Sequence, residues 1–317
     1  MTKHKKTILI PPNIAFGDVF SIVGLVYYLL EYYEEVFIYI GTTHIVGYTV
    51  PDSTINGVRD YITHHFQNDP LFNDKIKLIN HEEINSMITN GEYGEYHICN
   101  TLTGDWSGPN KIFLELENID KEFYFNNENP ITNKLDIPNE HKCGQNKHLP
   151  NRELVTNHVL YYELVGLKNT VRMDYFNYVR NIESELEFKK NILERYNILD
   201  GKYNIVNDPE NKIGELAPHI KNEYPIININ YLAPNPCYLL SLLEGAESIH
   251  FIEGSNVNFF YHTQYKNLFK YDGEINFHIW LRNRNWPSDA MNLDYAWTMM
   301  NTPKLDNWKF IFEQNQI

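Results

Sequence analysis

Three short loops carry the residue types and spacings that suit anion chemistry. The first, Asn13-Ile-Ala-Phe-Gly17-Asp18, joins a β-type run at Thr7 to Ile10 to an amphipathic helix. Gly17 can take a positive φ and bring backbone close to a ligand. Asp18 stands at the helix start, where its carboxylate either caps the first N–H groups or faces a bound molecule. The second loop is Glu253-Gly254-Ser255-Asn256, between an apolar run and a further helix. Its main-chain N–H groups and the helix dipole suit a phosphate or pyrophosphate, and Glu253 suits ribose hydroxyls. A glycine turn with a Ser or Asn cap explains the same spacing equally well. The third, Asn207-Asp208-Pro209-Glu-Asn211-Lys212, reads as an Asp-Pro turn whose Lys212 is either solvated or paired with a phosphate. Arg282 and Arg284 are further anion binders or, alternatively, interdomain ion-pair partners.

Several other chemistries lack their motifs. His64-His65 has no third ligand nearby, and neither HExxH nor DxD occurs, so no dedicated metal site and no cofactor is expected. The GxGxxG dinucleotide fingerprint, the GxSxG elbow and the Walker loop are also missing, which removes the commonest dehydrogenase, hydrolase, kinase and NTPase readings.

The elements that must position these loops follow a repeated grammar. Val19, Ile22, Val23, Val26, Tyr27 and Leu30 lie on one helical face, and Val36 to Ile40 is the next strand. Strand, tight loop, helix and strand in this order form a βαβ unit and imply a parallel sheet covered by helices. The rhythm continues through a helix at 57–66, a strand at 76–79, a helix at 82–89 and a strand at 96–100. Residues 126–150 are polar, proline-interrupted and aperiodic, as expected of an exposed loop or lid. Helices are then expected at 152–165 and 182–196.

The second half restarts with strands at 203–206 and 226–231. Asn235-Pro236 opens a helix, with a strand at 248–252 and a helix at 257–265 behind it. Four of the five tryptophans (Trp280, Trp286, Trp297 and Trp308) fall in the tail, where they are expected to anchor packing, with a helix near 290–300. The fold class is therefore α/β, with two Rossmann-like, doubly wound domains and an interdomain cleft at their strand ends. The first domain is expected over 1–175 and the second over 176–300, with 301–317 packing back on the first.

Length and composition agree with two folded units: 317 residues, 43% hydrophobic and 21% charged. A net charge of −14 disfavours nucleic acid as a partner. Three separated cysteines (Cys99, Cys143 and Cys237) signal neither a disulfide framework nor a zinc knuckle and fit a reducing compartment, so a cytoplasmic location is expected. The N-terminal apolar run is too short for a signal h-region, and no stretch reaches the ~20 apolar residues of a membrane span. Forty asparagines against six alanines is the mark of an A/T-rich coding sequence, microbial or viral.

Thr7 to Leu30 (TILIPPNIAFGDVFSIVGLVYYLL) resembles the opening of two-Rossmann-domain glycosyltransferases of the GT-B type, in particular the heptosyltransferase-like group. Ser248 to Tyr265 (SIHFIEGSNVNFFYHTQY) resembles the donor segment in that group's second domain. The resemblance implies a metal-independent transfer of a sugar from a nucleotide-diphosphate donor to a hydroxyl acceptor. By position it implies Asp18 as general base, Asn13 and Gly17 in the acceptor loop, and Glu253, Gly254, Ser255 and Asn256 at the donor. Lys212, Arg282 and Arg284 would then neutralise the leaving diphosphate. This chain departs from the group in having Ile14-Ala-Phe16 before Gly-Asp, and Val257-Asn-Phe-Phe in place of a helix-borne His-Leu-Ala. Two other readings share the architecture: a nucleotide-sugar epimerase, and a non-catalytic nucleotide- or carbohydrate-binding protein.

Overall fold

Parallel strand pairing organises both halves of the chain. The structure, a computed structural model, describes residues 4–10, 16–40, 44–45, 48–49, 52–80, 82–83, 86–87, 96–100, 135–143, 162, 165–198, 201–208, 220, 223–230, 232–233, 235–252, 255–278 and 305–311. Two compact units divide between Asn177 and Tyr178. Of the expected helix at 82–89, residues 82–83 and 86–87 are described and are helical, while the helices expected near 152–165 and 290–300 lie essentially outside the described residues.

In the first unit, strand β1 (His4–Ile10) is followed by helix α1 (Phe16–Leu29) and strand β2 (Tyr33–Tyr39). A small hairpin, β3 (His44–Ile45) with β4 (Tyr48–Thr49), precedes helix α2 (Asp52–Phe66) and strands β5 (Ile76–Ile79) and β6 (Tyr96–Asn100). The main sheet has the order β5-β2-β1-β6, and its pairs are all parallel. The last four residues of β2, Val36 to Tyr39, are all buried, as a parallel strand covered on both faces requires.

Helix α1 is buried well beyond the single stripe read from its spacing. Phe20, Leu25, Tyr28 and Leu29 are fully buried along with Ile22, Val23 and Val26. The reason is a second neighbour, the short helix α3 (Thr170–Asp174), which packs across α1 at Gly24. A Cβ on Gly24 would stand 2.3 Å from the Arg172 carbonyl oxygen, so the close approach needs glycine. Gly24→Ala is expected to cost about 1–3 kcal/mol by overpacking, read as a lowered midpoint in urea at unchanged m.

Part of the segment expected to be an exposed loop or lid is anchored instead. Leu135 and Ile137 are 5% and 2% exposed. The Cys143 N–H donates to the Gly166 carbonyl at 2.9 Å, and the Lys168 N–H to the His141 carbonyl at 2.8 Å. The two apolar residues of Leu135-Asp-Ile137 supply enough buried surface to hold this stretch despite its prolines.

His65, near the end of α2, is 1% exposed, and its Nε2 lies 3.0 Å from the Asn177 carbonyl oxygen. Burial pushes its pKa down to about 4, against smaller upward pulls from that carbonyl and from Asp69. A depressed histidine stabilises the fold fully above its unfolded value near 6.5, and this contribution is lost as pH falls through 6.5 toward 4. A loss of about 3 kcal/mol across that window is expected, absent in His65→Gln; equal acid sensitivity of the two proteins in urea titrations would contradict it.

The second unit begins with helix α4 (Ile182–Arg195), whose Asn181 Oδ1 accepts the Ser184 N–H at 3.0 Å as an N-cap. Strands β7 (Asn204–Asn207) and β8 (Ile226–Asn228) follow. Asn235-Pro236 opens a 3-10 turn at Pro236–Leu239 before helix α5 (Leu240–Glu244). Strand β9 (Ser248–Ile252), helix α6 (Ser255–Tyr265) and strands β10 (Ile275–His278) and β11 (Trp308–Ile311) complete it. The order is β11-β10-β9-β7-β8, again all parallel.

Of the segment expected to pack back on the first half, 301–317, residues 305–311 are described, and 308–311 form an edge strand of the second sheet. Trp308 is 3% exposed and packs against Phe251, Tyr261 and Phe277, with its Nε1–H donating to Gln264 Oε1. Burial of the indole surface on this sheet holds the strand in place. Trp280, Trp286 and Trp297 lie outside the described residues.

Candidate functional site

Each strand order contains one point where the chain reverses direction across its sheet, and ligands of doubly wound folds bind at the carboxyl ends of the strands there. In the first unit, β2 and β5 build outward on one side of β1 and β6 is added on the other, so the reversal lies between β1 and β6. In the second, β8 lies on one side of β7 and β9, β10 and β11 on the other, so it lies between β7 and β9. The connection leaving β1 carries Asn13 and leads to Gly17 and Asp18, the one leaving β9 carries Glu253 and Gly254 and leads to Ser255 and Asn256, and the one leaving β7 carries Lys212. All three loops selected from the sequence therefore start at a reversal point of their own sheet.

Helix α1 begins at Phe16, earlier than its apolar periodicity implied. Gly17 is therefore helical rather than a positive-φ loop residue, and Asp18 is inside the first turn. A carboxylate there is favoured by the helix dipole. Ser255 and Asn256 open α6 in the same manner. Asn13, Lys212, Glu253, Gly254, Arg282 and Arg284 lie outside the described residues.

The amino end of α6 is held rigidly against the sheet. Val257, Phe259 and Phe260 are completely buried, and the Phe260 ring stacks on Phe251 of β9 at 5.2 Å. The first-turn N–H groups of a helix have no partner within it, so this fixed end offers donors and positive potential at the β9 terminus.

Polar side chains that sequence reasoning missed gather beside it. Asn207 and Asp208, where β7 ends, are each 2% exposed. The Asn228 side chain at the end of β8 ties them down: its Oδ1 accepts the Asp208 N–H at 3.2 Å and the Asn230 N–H at 3.1 Å, and its Nδ2 donates to the Asp208 carbonyl at 3.3 Å. Asn207 Oδ1 and Asn230 Nδ2 are buried and find no hydrogen-bond partner among the described residues. Leaving such atoms unmet costs about 1–3 kcal/mol each, a cost a bound polar ligand would remove. The arrangement can bind a polyhydroxylated anion: N–H donors at α6 for phosphate, and a buried carboxylate with amides for hydroxyl groups. The available signal was the run of polar residues closing two apolar strands, Val206-Asn207-Asp208 and Ile227-Asn228.

No family model matches the sequence, and no curated protein is similar to it. Among solved structures, the chain is similar to the crystal structure of a glycosyl transferase family 9 protein from Veillonella parvula DSM 2008, at 6% identity and a TM-score of 0.49, over 100% of this chain and 89% of that one. Among the described residues no helix is long and apolar enough to cross a membrane.

Proposed function

We propose that the chain is a glycosyltransferase that takes a sugar from a nucleotide-diphosphate donor and passes it to a hydroxyl acceptor. The observation that carries this reading is the coincidence, in both units, of a sequence-selected polar loop with the reversal point of a parallel sheet. The buried Asn207 Oδ1 beside the second of these points, without a hydrogen-bond partner among the described residues, adds to it.

In this reading the second unit holds the nucleotide. The α6 N–H groups, with Lys212, Arg282 and Arg284, meet the diphosphate, while Asp208 and Glu253 accept hydrogen bonds from ribose or sugar hydroxyls. Asp18 removes the acceptor proton as the oxygen bonds to the anomeric carbon and the carbon–oxygen bond to the diphosphate breaks. The sugar passes through an oxocarbenium-like state, so stabilising the leaving diphosphate and positioning the acceptor supply most of the rate. The reaction is expected to proceed without a metal and in the cytoplasm.

A thermal-shift panel of nucleoside diphosphates and their sugars tests the reading first. A true ligand at 100 times its dissociation constant stabilises by about 2.7 kcal/mol, which appears as a rise in Tm of several degrees. Absence of a shift with every nucleotide would count against the whole reading. A shift without transfer to any acceptor would leave a nucleotide-binding protein.

A further inference from the structure

Apart from the groups at the reversal point, the second unit buries two histidines side by side. His250 lies within β9 and His278 closes β10, and they are 2% and 0% exposed. Strand register pairs Asn276 with His250 and His278 with Ile252, which puts both imidazoles on one face of the sheet. Val206 shares this face, and Ile220, from the β7–β8 connection, packs there with Ile252. Helix α6 lies on the other face, against Phe251.

His250 Nδ1 and His278 Nε2 are 3.2 Å apart, their ring centroids are 5.5 Å apart and their planes are inclined by 24°. The centroid separation is close to the nitrogen gap plus the two ring radii, so each nitrogen points at the other. This is the geometry of one head-on N–H···N hydrogen bond, not of two lone pairs converging on a metal ion. A single proton lies between the rings, and its position sets the tautomer of both.

We propose that this pair is a proton-loading element of the nucleotide site: neutral in the free protein, it takes up one shared proton when a diphosphate-bearing ligand binds beside it. The inference rests on the nucleotide-diphosphate reading above. His278 ends β10 at the carboxyl edge, its register neighbour Ile252 ends β9, and α6 opens just beyond at Ser255. His278 therefore stands one strand over, ~4.8 Å, from the end of β9, the strand that leads into α6.

Burial opposes charge on either ring alone, and two added protons would place like charges in contact, so the pair can hold one and not two. A diphosphate bound at the carboxyl ends of β9 and β10 brings the negative charge that tips this balance, and in a water-poor interior that attraction is weakly screened. Among the described residues of this sheet face, Lys309 of β11 is the other charged strand residue, exposed and 3.7 Å from Glu274. Asp208 follows β7 on the same side, and β7 and β8 add the neutral Asn204 and Asn228. The β7–β8 connection, whose Ile220 packs on this face, carries Glu210, Lys212, Glu215, His219 and Lys221 in its sequence. The step itself is one protonation: a buffer acid loses a proton and an N–H bond forms on the pair. In an acidic protein this supplies a cation at the diphosphate only when one is present.

Calorimetric titration of the full chain with UDP, ADP, GDP and CDP, each in two buffers of different ionisation enthalpy at neutral pH, measures the uptake. Close to one proton per bound ligand is expected, with affinity falling about tenfold per pH unit above the loaded range. His278→Gln and His250→Gln are each expected to abolish the uptake. Binding with the same enthalpy in both buffers overturns the inference and leaves the nucleotide reading standing, whereas binding by none of the four overturns both. Long-range nitrogen–proton NMR spectra of the free wild-type protein test the shared proton without variant or ligand. They are expected to show two linked tautomers and one strongly downfield ring N–H, and two imidazoles that titrate independently overturn it.

Discussion

Asp18→Asn is expected to lower the rate of sugar transfer about 100- to 10,000-fold while leaving the chain folded. The rate effect is the usual contribution of a positioned general base, since asparagine keeps the shape of the side chain but cannot accept the acceptor's proton. The structural effect is small because Asp18 sits in the first turn of α1. Losing its charge there removes a favourable dipole interaction of about 0.3–1 kcal/mol. Nucleoside diphosphate binding by the second unit is expected to be unchanged, so the split between lost turnover and retained binding separates catalysis from damage. Unchanged turnover with a working donor and acceptor would remove Asp18 from the mechanism.

Arg180→Ala is expected to destabilise the second unit by about 3–5 kcal/mol. Arg180 donates to both carboxylate oxygens of Glu185, to Glu244 Oε1 at 2.6 Å, to the Leu268 carbonyl at 2.7 Å and to Ser241 Oγ at 3.1 Å. Its side chain is 13% exposed and that of Glu185 is 2% exposed. Glu185 also accepts the Ser241 N–H at 3.1 Å and the Ser241 hydroxyl at 2.9 Å. Removing the guanidinium therefore strands a buried carboxylate, and that stranded charge is the larger part of the loss. Arg180→Met combined with Glu185→Leu is expected to recover most of the stability, because neither charge is then left alone. Urea denaturation of the two single variants and the double variant measures the coupling, and additive losses would contradict this account.

The strands at 76–79, 96–100 and 248–252 were legible in the sequence to the residue, because each is a short, mainly apolar run bounded by turn-forming or charged residues. β10 and β11 were not. Ile-Asn-Phe-His and Trp-Lys-Phe-Ile are short alternating runs in a stretch dominated by aromatic and polar residues, and they become strands because a sheet edge is there to pair with. The early start of α1 and α6 was likewise hidden, since apolar periodicity begins after the first turn whereas the backbone turns before it.

The sequence by itself determined the βαβ grammar and the loops that leave β1, β7 and β9. These depend on residues close together along the chain: apolar spacing, glycine, proline and capping side chains. The tertiary structure decided which of those loops share a sheet reversal, and it brought Asn207 and Asp208 against Asn228 and His250 against His278. Such pairs are about 20 to 30 residues apart in sequence, and strand order and register, which local patterning does not encode, set them side by side.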